Sequence, residues 1–179
     1  SVCIYQGEEL GLPEADVDFA DMQDPYGIEF WPEYKGRDGC RTPMVWKSNN
    51  QNGGFSEGQT WLPVAAEHLA MSVEAQENNP DAMLHHYRKA IQFRQTHMAL
   101  AIGEHNDLQA TENVVTFNRV LNDQIIHCAF NLSDTPSEIT LPSSNWQPLG
   151  EELGCVQNET GDQIHLGPWQ VYIGLKREH

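Results

Sequence analysis

The 179-residue chain carries 26 acidic against 10 basic residues, a formal charge of −16, with 39% apolar and 20% charged residues. That acidity disfavours nucleic acid and anionic membranes as partners, because both repel a negative surface. The length suits one hydrophobic core, or one domain plus a piece of another, and no apolar run approaches the ~20 residues of a membrane span.

The chain opens Ser1-Val2-Cys3-Ile4-Tyr5. It has no initiator Met and no basic start with a long apolar stretch, the pattern of a secretory leader. The expectation is a piece of a longer, cytoplasmic protein. Val2 to Tyr5 is a continuous apolar run, which suits a parallel strand buried on both faces. Gln6-Gly7-Glu8-Glu9 follows at once, where an α/β barrel places its sites. Cys3, Cys40, Cys128 and Cys155 lie far apart with no C-x-x-C spacing, which argues against zinc or a redox pair. Two disulfides remain open, and buried or half-buried free thiols in a reducing cytoplasm are the expectation.

Residues 13–46 show neither helical nor strand periodicity. The first 40 residues hold 10 acids and two bases, Lys35 and Arg37, together with Phe19, Tyr26, Phe30, Trp31 and Tyr34. Aromatics argue against disorder; they either pack the loop down or form an apolar wall for a ligand ring. The loop ends in Tyr34-Lys35-Gly36-Arg37-Asp38-Gly39-Cys40-Arg41-Thr42-Pro43-Met44-Val45-Trp46. Three bases, two glycines, a proline and two aromatics in thirteen positions make a rigid, charged loop of the functional kind.

This stretch resembles the GRD..RTPMQW signature of the α-glucosidases and oligo-1,6-glucosidases of glycoside hydrolase family 13, with Val45 in place of the commoner glutamine. Tyr5-Gln6-Gly7-Glu8-Glu9-Leu10-Gly11 resembles the same family's segment leaving the eighth barrel strand. The resemblance implies the C-terminal portion of such an enzyme. The fold would be α+β: the last strand and helix of a (β/α)8 TIM barrel (residues 1–100, with a long active-site loop), then an antiparallel β-sandwich C-terminal domain (residues 101–179).

Further along, Asn49 to Gly58 is a Gly-rich turn region. Residues 61–76 are ambiguous. Ala65, Ala66, Leu69, Ala70 and Val73 could share a helical face, but the resemblance implies a largely extended stretch with at most a short helical turn, and that is the expectation taken. Asn79-Pro80-Asp81 reads as a helix start, and Leu84, Tyr87, Ile91 and Met98 recur at helical spacing, predicting a helix over 80–98. His85 and His86 are adjacent, so they point to different faces and form no i, i+4 metal pair. From about residue 102 the period becomes two. Ile126, Cys128, Phe130 and Leu132 alternate with His127, Ala129 and Asn131; residues 169–175 alternate likewise. Val115 and Phe117 precede a hairpin turn at Asn122-Asp123. Ile139/Leu141 and Ile164/Leu166 mark further strands of a sandwich. Asn131-Leu132-Ser133 and Asn158-Glu159-Thr160 match the glycosylation pattern, which arises easily by chance.

A retaining glycosidase needs two carboxyls about 5 Å apart. In the resembled family these lie on earlier barrel segments, and the family does not use the position of Glu8 and Glu9 for the chemical step. No catalytic residue is therefore assigned in this chain, and no metal or cofactor. Arg37 matches the arginine that binds the non-reducing glucose. A guanidinium is a planar donor fork suited to an aspartate and a hydroxyl together. Arg41 would hold the loop's own backbone or a carboxylate, and Glu14 would either face the aglycone side or be a solvated loop acid. The expected parent is a retaining α-glucosidase acting on short α-glucosides from the non-reducing end. Its partners would be that substrate and the missing N-terminal barrel segments. The rivals are a glucosyltransferase or isomerase of the same family, and a non-catalytic carbohydrate-binding or interaction module.

Overall fold

A computed structural model describes residues 2–143, 145–158 and 161–177. The chain divides into two compact units, Ser1–Arg88 and Lys89–His179.

The first unit has little regular structure: α1 (Pro25–Glu29), α2 (Ala66–Leu69), α3 (Val73–Glu77) and the start of α4 (Met83–Thr96), with short 3-10 turns between them. Two apolar clusters hold it. Leu10, Met44, Val45 and Leu84 form one; Val17, Met22 and Leu62, with half-buried Trp31, form the other. Gln76 links distant backbone. Its Nε2 donates to the carbonyls of Leu10 (2.8 Å) and Met71 (3.0 Å), and its Oε1 accepts from Leu84 N–H (3.0 Å).

Several expectations are corrected here. Val2 to Tyr5 forms no ladder among the described residues. A parallel strand exists only through its neighbours, and this unit supplies none, so Val2 is 65% exposed. Residues 61–76 are not largely extended, because α2 and the first part of α3 lie there. The helix predicted over 80–98 begins at Met83. Asn79 caps a turn instead, accepting Asp81 N–H on Oδ1 at 3.1 Å and Ala82 N–H on its carbonyl. Its chain breaks at His97 before α5 (Met98–Ile102). The buried positions also differ: Phe93 and Ala99 are buried, while Ile91 and Met98 are exposed.

The second unit carries seven strands among the described residues: β1 (Glu104–Ala110), β2 (Val114–Leu121), β3 (Gln124–Asn131), β4 (Ser137–Thr140), β5 (Trp146–Leu149), β6 (Gln163–Leu166) and β7 (Val171–Lys176). They pair antiparallel in a five-stranded sheet, order β1-β2-β3-β7-β5, and a two-stranded sheet, β4-β6. The central strand β3 is buried on both faces. Ile126 and Cys128 pack with Phe93, Ala99, Cys155 and Ile173. On the other face, Ala129 packs with Val114, Tyr172 and Trp146, and with Leu141, Ile164 and Leu166 beside and on the small sheet. The strands expected around Ile126, residues 169–175 and the Asn122 hairpin are present. β1 and β5 are additional.

All four cysteines are free thiols. Cys128 and Cys155 are buried as expected, but Cys3 and Cys40 are exposed. The first glycosylation match is structural. Asn131 is 1% exposed, with its Nδ2 on the carbonyls of Thr135, Leu166 and Gly167 and its Oδ1 accepting from Ser133. The second match extends onto residues 159 and 160, outside the described residues.

No helix among the described residues is long and apolar enough to cross a membrane. No group of three or more His, Cys, Asp or Glu among them is placed to hold a metal ion.

Candidate functional site

Two buried aspartates build the loop that carries the motif. Asp38 is fully buried, and its Oδ2 accepts the N–H groups of Gln23 (2.6 Å) and Asp24 (2.8 Å). Asp24 stands immediately before Pro25 and caps α1, accepting Tyr26 N–H on Oδ1 at 3.0 Å. Its Oδ2 accepts Arg37 N–H at 2.9 Å and lies 3.8 Å from Arg41 Nη1. Arg41 thus faces a carboxylate of its own loop. Burial pushes the Asp24 carboxyl up. The N–H donors of Arg37, Tyr26 and Gly27 and the Arg41 charge outweigh that, so it titrates below its ordinary value. The Asp38 Oδ1 is buried without a partner among the described residues.

Two glycines let these segments touch. Gly36 has φ +75°, and a Cβ there would lie 2.9 Å from the Asp24 side chain. A Cβ on Gly39 would lie 2.3 Å from the Ala15 carbonyl oxygen. Only hydrogen fits, and Ala15 N–H donates to the Gly39 carbonyl at 3.1 Å. That approach brings Glu14 against the GRD stretch. A Cβ on Gly39 would also meet Glu14 Cγ at 2.7 Å.

Arg37 is fixed at its backbone and free at its tip. Its N–H sits on Asp24, and its carbonyl accepts from Cys40 Sγ at 3.1 Å. The side chain is exposed and makes no hydrogen bond or ion pair among the described residues. Glu14 is also exposed and lines two adjoining clefts. The first, about 310 Å³, includes Tyr5, Glu8, Cys40, Thr42 and His68; the second, about 440 Å³, includes Asp16, Tyr34 and Lys35. Arg37 lines neither, so the two predicted residues share neither of these clefts. Lys35 pairs with Asp16 and lies over the Trp31 ring, 5.4 Å from its centroid. Of the loop aromatics, Trp31 packs inward, while Phe19, Tyr26, Phe30 and Tyr34 are exposed.

Glu8 and Glu9 fold back onto their own turn. Glu8 Oε2 accepts Tyr5 N–H at 3.2 Å, and Glu9 Oε2 accepts Gly7 N–H at 2.8 Å. Val45 is fully buried among Leu10, Met44 and Leu84, where an amide would need its own partners. Sequence reasoning missed Asp24 and Asp38 as the residues that shape the loop. Asp-Pro at a helix start was the available signal for Asp24; Asp38 carried none beyond its place after Arg37.

Residues 1–103 match the family model described as "Alpha amylase, catalytic domain". Over 173 residues the chain is 44% identical to a probable alpha-glucosidase of Rhizobium meliloti, covering 97% of this chain and 31% of that protein. It is 27% identical to an oligo-1,6-glucosidase of Parageobacillus thermoglucosidasius, covering 95% of this chain and 34% of that protein. Among solved structures, an alpha-glucosyl transfer enzyme, XgtA, superposes with a TM-score of 0.89 at 40% identity, over 98% of this chain and 32% of that one. The chain spans about a third of the length of these relatives.

Proposed function

This chain belongs to the α-amylase catalytic-domain family, and from that premise we propose that it is the C-terminal portion of a retaining α-glucosidase and supplies the rim of its glucose site. The observation that carries the reading is Arg37. Its backbone is pinned on Asp24 and Cys40 while its guanidinium is exposed and unpaired among the described residues. A positively charged fork on a rigid stalk binds a sugar hydroxyl and a carboxylate from elsewhere in the parent at once. Glu14, packed against Gly39, would face the aglycone. Residues 1–100 would close onto the missing barrel segments, which would cover Val2, Ile4 and Tyr5; residues 101–179 would form the β-sandwich domain. The parent would act in the cytoplasm, where the free thiols suit a reducing environment.

On this reading the catalytic carboxyls lie on barrel segments outside this chain, as the resembled family implies, and Glu8 and Glu9 hold their own turn, so no catalytic residue is assigned to it. Purified alone, it should not hydrolyse a chromogenic α-glucoside. Turnover that co-purifies with the chain and disappears in Glu8→Gln or Glu9→Gln overturns this.

A second reading, transfer of glucose in place of hydrolysis, is supported by the likeness to the alpha-glucosyl transfer enzyme. Product analysis of the intact parent separates the two: free glucose with retained configuration for hydrolysis, a new glucoside for transfer.

A further inference from the structure

We propose that a groove on the second unit, between β1–β2–β3 and β4, binds a neutral polyhydroxylated molecule such as a short sugar. The groove has a volume of about 780 Å³, within the usual range for small-ligand sites. It is lined by Asp107, Thr116, Asn118, His127, Glu138 and Thr140 among others, and no lysine or arginine contributes.

Its floor is a built relay. The β1–β2 register shifts between Asn106 and Gln109, and Asp107 takes φ +54° inside that bulge. A bulge re-aims a side chain, and here Asp107 Oδ2 accepts from Asn118 Nδ2 at 2.7 Å. That fixes the amide, so Asn118 Oδ1 accepts from His127 Nδ1 at 2.8 Å. His127 is 7% exposed, and burial holds its pKa below the ordinary value, so the ring is neutral at pH 7. With Nδ1 donating, Nε2 carries a lone pair, and it has no partner within the described residues. His127 lines the groove.

The lining selects its ligand by chemistry. Asp107, Glu112, Glu138 and the His127 lone pair accept, Glu138 also facing His165 Nδ1 at 2.9 Å; the Thr116 and Thr140 hydroxyls donate or accept. Without a base, the groove repels anions. Val114, Ile139 and Pro142 give it an apolar side as well, but a wholly apolar guest would leave its polar groups without partners. A molecule rich in O–H groups satisfies both. The groove also lies on the His127/Ala129 face of β3, opposite the Ile126/Cys128 face that packs on α4 and α5. This inference is independent of the reading of the Arg37 loop.

The test is an amide-resonance titration of the full chain with maltotriose and with isomaltose at millimolar concentration, with ethylenediamine as a cationic probe. The expected result is saturable shifts at Thr116, Asn118, His127 and residues 137–140 with sugar. Asp107→Ala and Thr116→Val should each weaken that response about tenfold, the loss of one hydrogen bond, while Arg37→Ala leaves it unchanged. Thr116→Val keeps the side-chain shape, and the Thr116 hydroxyl makes no hydrogen bond among the described residues, so this variant guards against a merely unfolded Asp107→Ala. Sugars that shift none of these residues, shifts that survive both groove variants, or a response to ethylenediamine alone would each overturn the proposal.

Discussion

Removing the Asp38 carboxylate strands the half-buried N–H of Gln23 and the buried N–H of Asp24. Each costs about 1–3 kcal/mol, so Asp38→Ala should lower the melting temperature sharply. Asp38→Asn keeps an acceptor for both and replaces an unpartnered buried oxygen with an amide; it should melt closer to wild type. Equal losses in the two variants would mean that the charge, not the acceptor, matters. Thiol chemistry gives a second check. Burial pushes Cys128 up to about 12 and Cys155 to about 11, so both are thiols at neutral pH. A thiol reagent should label Cys3 and Cys40 in the native chain and reach all four only after unfolding. At this scale the sequence disclosed identities without geometry: Arg37 stood out by charge and motif, whereas Asp38 looked like its flank although it carries the loop.

At the level of elements, legibility followed burial. The strands around Ile126 and residues 169–175 could be read because alternating apolar side chains face packed clusters. β1, Glu-His-Asn-Asp-Leu-Gln-Ala, is exposed throughout; it is held to β2 by backbone pairing and by polar contacts of Asp107 and His105, which leave no apolar period in the side chains. β5 contains Pro148 and lies at the end of the five-stranded sheet, where proline is tolerated. α4 was visible as a helix, but its buried face was not, since Ile91 is as apolar as Phe93. The relay from β1 to β3 predicts a pH effect. Folded His127 titrates below 6.5. As pH falls through that value the unfolded chain takes up the proton first, so stability drops, then levels below the folded pKa. Asp107 opposes the shift without cancelling it. His127→Gln should flatten this part of a melting-temperature profile just below neutral pH, leaving the carboxylate-driven loss at lower pH.

For the whole molecule, the strong acidity excluded partners and said nothing about fold. The family rested on two motifs, and the matched model covers residues 1–103. What sequence could not supply was whether Val2 to Tyr5 has a strand to pair with: an apolar run reads as a strand whether or not a partner strand exists. The central claim is that Arg37 binds glucose and does not hold the loop together. It is tested most directly by kcat/KM and melting temperature of Arg37→Ala in the intact parent. The tip of Arg37 has no partner to lose among the described residues, so the melting temperature should not move. A charged hydrogen bond to substrate is worth ~1.5–3 kcal/mol, so kcat/KM should fall about ten- to a hundredfold, and Arg37→Lys should restore little because a point charge cannot bridge two acceptors. A variant with near-normal kcat/KM and an unchanged melting temperature would contradict the account.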